Sequence, residues 1–120
     1  PADLLAHNCL DYTRSGEPGR WRFTGPEGEI VVPVNGTLHV DDDEALSQAV
    51  LGGLGVGLLP TFIIGRELQN GNLQAVLSKY IPVERHVYAI YLPTRHLPSK
   101  VRVFIDFMVA HIGAEPYWDR

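Results

Sequence analysis

The run Gly52-Gly53-Leu54-Gly55-Val56-Gly57 is made of the residue type that lets backbone amides approach a phosphate closely. A dinucleotide-binding turn needs Gly-x-Gly-x-x-Gly leaving a strand and entering a helix. Here Gly55-Val56-Gly57 leaves a helical pattern and enters an apolar strand, with Pro60 in the third glycine's place. The polarity is wrong, and a glycine-lined helix exit packed closely on a sheet is the favoured reading. His7, His39, His86, His96 and His111 are too dispersed for a zinc pattern, and Cys9 has no second cysteine to join it. Asp41-Asp42-Asp43-Glu44 has neither the glycine nor the distal glutamate of a calcium loop, so helix capping explains it better. None of Ser15, Ser47, Ser78 and Ser99 lies in Gly-x-Ser-x-Gly, and no lysine lies in a phosphate-loop pattern. No catalytic constellation is found, and no metal or cofactor is expected.

What remains is a pair of strand-to-helix junctions. In open α/β sheets ligands collect at the carboxyl ends of strands, where the next helix begins. Pro60, Thr61 and Phe62 form one such junction; Thr61 is an N-cap whose hydroxyl could instead serve a ligand, and Phe62 is an aromatic at the mouth. Asp41 and Asp42, after Val40, form the second, although their carboxylates would repel an anion unless they only cap.

The elements that must position these residues follow from periodicity and punctuation. Pro1 to Leu5 reads as a short helical turn. Cys9 to Tyr12, Trp21 to Phe23, Ile30 to Val34 and Leu38 to Val40 read as short strands between turns, Pro33 marking an edge or a strand end. Ala45, Leu46, Ala49, Val50 and Gly53 form a helical stripe, with Asp41 and Glu44 spaced as a capping box. Val56 to Leu59 is then a buried strand, residues 61 to 69 a short helix, and Leu73 to Leu77 and Val87 to Leu92 further strands. Pro98 and Ser99 open a last helix that Gly113 closes after Ile112. Its apolar residues fall on two stripes, Val101, Phe104, Ile105, Met108 and Ile112 on one and Val103, Phe107 and Ala110 on the other, so burial on more than one side is expected.

At 120 residues, 45% hydrophobic and 20% charged, the chain has the size and composition of one ordinary globular domain. With 10 Lys+Arg against 14 Asp+Glu, and those cations scattered, it lacks the electrostatic footprint of a nucleic-acid binder. No apolar run is long enough to span a bilayer, so no membrane partner is expected. A lone cysteine and the lack of a basic-plus-apolar signal segment point to a cytoplasmic setting.

Read in order, Pro1-Ala2-Asp3-Leu4 with His7, Cys9 and Leu10, then Trp21-Arg22-Phe23 and Gly36-Thr37-Leu38, resemble the second half of a LysR-type transcriptional regulator. The resemblance continues through Ala45-Leu46, Gly53-Leu54-Gly55-Val56, Leu59-Pro60, Leu68, Gly71 and Leu73, and closes with Tyr88-Ala89-Ile90-Tyr91 and Leu97 to Phe107. It implies an α/β fold, part of a periplasmic-binding-protein-like (type 2) effector domain of two lobes, with a mixed sheet flanked by helices and a small-molecule cleft between the lobes. Residues 1–80 would then be most of the second lobe, and 81–120 a return strand and C-terminal helix of the first.

On this basis the chain is expected to be a non-enzymatic sensing domain of a cytoplasmic regulator. Its partners would be a small organic acid or amino acid as effector, further copies of itself, and DNA only through an absent N-terminal winged helix-turn-helix. Residues 87 to 112 would be covered by another chain. The effector side chains on this lobe would be Pro60, Thr61, Phe62, Asp41 and Asp42. The alternatives are an exported solute-binding protein of the same fold and, from another class, a fragment of an α/β enzyme.

Overall fold

Pro1 leads into a 3-10 turn over Ala2–Ala6, from which Leu4 reaches the core of the computed structural model. The structure describes residues 1–14, 16–82, 88–92, 97–113 and 116–119. They fall into two compact units, Pro1–Glu84 and Arg85–Arg120.

In the first unit, β1 (Cys9–Tyr12) is the centre of a three-stranded parallel sheet between β4 (His39–Val40) and β5 (Val56–Gly57). The register is staggered. Cys9 and Leu10 pair with Val56 and Gly57, whereas Asp11 and Tyr12 pair with His39 and Val40. A second, antiparallel sheet has the order β3-β2-β6: β2 (Arg20–Gly25) is joined to β3 (Gly28–Pro33) by a tight hairpin and flanked by β6 (Ile81–Pro82). Pro33 ends an edge strand, as expected of a residue without an amide to donate. Leu4, Cys9, Trp21, Phe23, Val32 and Val34 form the buried core that unites the two sheets.

Helix α1 (Asp43–Leu51) packs on the parallel sheet through Leu46, which is fully buried. Its cap is Asp42, whose carboxylate accepts the Glu44 amide at 3.2 Å. The expected cap, Asp41, sits one residue too early, because Val40 is still held in the strand and Asp41 makes the bend that leaves it. At the other end Gly52 caps the helix and Gly53 takes φ +76°, a conformation that side chains resist. Gly55 lies against the Asn8 carbonyl, and a Cβ at Gly57 would come within 2.8 Å of Val50. The glycine run is therefore a helix exit and a packing surface.

Helix α2 covers Thr61–Gln69. Pro60, not Thr61, is its cap: the ring holds φ at −66° with an extended ψ of 139°, and the Pro60 carbonyl takes the Ile63 and Ile64 amides. Residues 58 and 59 are unpaired and only half-buried, so the strand is shorter than the sequence implies. Leu73 to Leu77 forms no strand. The amides of Asn72 and Leu73 both turn back to the Glu67 carbonyl, and Leu77 adopts φ +58°, which breaks any ladder.

In the second unit α3 (Ser99–Ile112) has the expected bounds, with Pro98 before it and Gly113 after it. It has no buried residue, and Val103, Phe104, Phe107 and Val109 are more than half exposed, so the described residues do not supply the burial expected of its stripes. Phe107 and His111, one turn apart, stack with ring centroids 5.4 Å apart. Tyr88 to Leu92 is not a paired strand, and Ile90 is 95% exposed; the run lacks a neighbouring strand among the described residues to take its amides. Val87 lies outside the described residues.

Candidate functional site

Because β1, β4 and β5 run parallel, their carboxyl ends leave the sheet along a common edge. Val40-Asp41-Asp42 leaves β4 into α1, and the segment ending in Pro60 leaves β5 into α2. The sequence-predicted residues therefore come to the same edge on either side of the central strand. Asp41, Asp42, Thr61 and Phe62 are exposed there, Phe62 by 62%, and Pro60 is half-buried.

The two junctions differ in electrostatic character. The first turn of α1 is capped by the Asp42 carboxylate and carries Asp43 and Glu44, so its positive end is already satisfied. The first turn of α2 carries no acid and its cap has no side-chain acceptor. Anions are favoured at α2 and disfavoured at α1.

Between them lies a third exit that sequence reasoning treated only as a turn. Beyond Tyr12, Thr13 donates its amide to the Val40 carbonyl at 2.8 Å and its hydroxyl to the same oxygen at 3.2 Å. Arg14 follows, exposed. Further along, Gly19 donates its amide to Oδ2 of Asp11 at 2.6 Å, while Trp21 Nε1 donates to Oδ1 at 3.1 Å. Asp11 is 1% exposed. The signal was in the sequence, since a lone acid within an apolar strand must find donors if it is buried.

Behind α2 is a cavity of about 330 Å³, lined mainly by apolar side chains including Leu4, Trp21, Phe23, Ile64 and Leu68. Thr61 lines it, on the same helical stripe as Ile64 and Leu68; Pro60, Phe62, Asp41 and Asp42 do not. No group of His, Cys, Asp and Glu among the described residues could hold a metal ion, and no helix among them is long and apolar enough to cross a membrane. Cys9 is a free, buried thiol at the opposite end of β1; burial and the nearby Asp11 charge push its pKa up.

Comparison with known proteins places these observations in a family. Residues 1–113 match the LysR substrate binding domain. The chain is 32% identical over 117 residues to the HTH-type transcriptional regulator PtxR of Pseudomonas aeruginosa, covering 98% of this chain and 38% of that protein. It is 32% identical to the HTH-type transcriptional activator CmpR of Synechocystis, covering 91% and 36%. Among solved structures, the regulatory domain of AphB from Vibrio vulnificus superposes with a TM-score of 0.75 at 28% identity, covering 92% of this chain and 56% of that one. The full-length Vibrio cholerae virulence activator AphB, a member of the LTTR protein family, gives 0.75 at 29% identity, covering 92% and 38%. This chain thus spans less than two fifths of the curated regulators it matches.

Proposed function

Because this chain belongs to the LysR substrate binding domain family, we propose that it is the second-lobe part of the small-molecule sensor of a LysR-type transcription regulator. Residues 1–80 are most of that lobe, and 81–120 contribute a return segment and helix to the first. The observation that carries the reading is the common edge at which the exits of β1, β4 and β5 meet, with Pro60, Thr61 and Phe62 on one flank and Asp41 and Asp42 on the other. An open parallel edge backed by two helices is suited to holding a ligand.

The role is sensing, not catalysis, in a cytoplasmic homo-oligomer that contacts DNA through an N-terminal domain and takes a small organic acid or amino acid as effector. An effector that binds one arrangement of the regulator better than another shifts the population by that difference in affinity, and the shift is read on DNA. The relatives named above are regulators, which favours sensing over solute capture for transport.

The test is a thermal-shift screen of small organic acids and amino acids on the intact protein, followed by Thr61→Val and Phe62→Ala. Both variants are expected to lose the ligand-induced shift at unchanged stability of the unliganded protein. A wild-type response from both overturns the assignment of this edge.

A further inference from the structure

We draw no further inference here: the strongest candidate, the apolar cavity of about 330 Å³ in the first unit between α2 and the irregular segment from Leu73 to Ser78, carries nothing, because nothing in the structure shows what covers it.

Discussion

Asn8 and Thr37 are bound to each other reciprocally: the Asn8 amide nitrogen donates to the Thr37 hydroxyl at 3.0 Å, and its carbonyl oxygen accepts the Thr37 backbone amide at 2.8 Å. The same amide nitrogen also donates to the Leu54 carbonyl at 2.8 Å, so one side chain joins the loops that enter β4 and β5. Asn8→Ala leaves those exposed partners to water and should cost about 0.5–1.5 kcal/mol. Asn8→Asp should be no better, since it replaces the donor by a negative oxygen facing a carbonyl. Chemical denaturation of the variants checks both; stability equal to wild type would sink the assigned role.

Gly36 and Gly55 are fixed by space. A Cβ at Gly36 would run into the Cys9 carbonyl, and one at Gly55 into the Asn8 carbonyl. Gly71, by contrast, has φ +75° but open surroundings. Gly36→Ala and Gly55→Ala are expected to lose about 3 kcal/mol or more, because backbone must shift, whereas Gly71→Ala should lose only about 1–2 kcal/mol from its left-handed conformation. Thermal melts of the three variants give the order.

The Cys9 thiol is raised from 9.0, first by burial and then by the Asp11 charge. The folded state thus holds this proton more tightly than the unfolded chain does. Its contribution is fully present below the ordinary thiol range and is lost as pH rises through the raised value. A pH series of denaturation midpoints should fall less steeply on the alkaline side for Cys9→Ala, and thiol reagents should label Cys9 only through unfolding. Rapid labelling of the folded protein contradicts this.

Glu17 is held below the usual 4.5 by its hydrogen bond to Arg22. A depressed carboxyl contributes above its unfolded value and loses that contribution as pH falls through the folded one, here from an exposed and hence weakly coupled pair. An NMR titration should place Glu17 below its ordinary range in the wild type and return it there in Arg22→Gln.

The exposed apolar side chains of α3, Val103, Phe104, Phe107 and Val109, accompany Tyr88, Ile90, Tyr91 and Leu92 in the same unit. Large side chains left in water forgo roughly 1.5–3 kcal/mol each. The 120-residue chain on its own should therefore associate or bind an apolar dye. Light scattering that finds a stable, dye-free monomer at tens of micromolar would refute it.

Much of the first unit was legible in the sequence because its signals are local. Alternation located β1 and β2, β-branched residues located β3, and acids located the start of α1; in the second unit Gly113 located the end of α3. The misreadings occur where an element depends on a neighbour. Val87 to Leu92 has the composition of a strand, yet Tyr88 to Leu92 has no described strand beside it, and Leu73 to Leu77 is bent by Leu77 and tied back to α2. At the site, both strand-to-helix junctions could be read from periodicity. Thr61 was misread as a cap because the conformational hold of Pro60 outweighs the hydroxyl preference. The third exit, after Tyr12, is not legible in the sequence because only the three-dimensional order β4-β1-β5 puts it between the two junctions.

The amides of Cys9, Asp11 and Thr13 donate in turn to the carbonyls of Asn35, Leu38 and Val40. These three rungs run from the amino end of β1 to the carboxyl edge of the parallel sheet, so the segment from Asn35 to Val40 is stitched to the central strand along its whole length. A fluctuation that frees Asp41 cannot spread backwards one residue at a time. It either stops at Val40 or detaches the segment as a unit, and hydrogen exchange at Cys9, Asp11 and Thr13 should then proceed with a single opening rate.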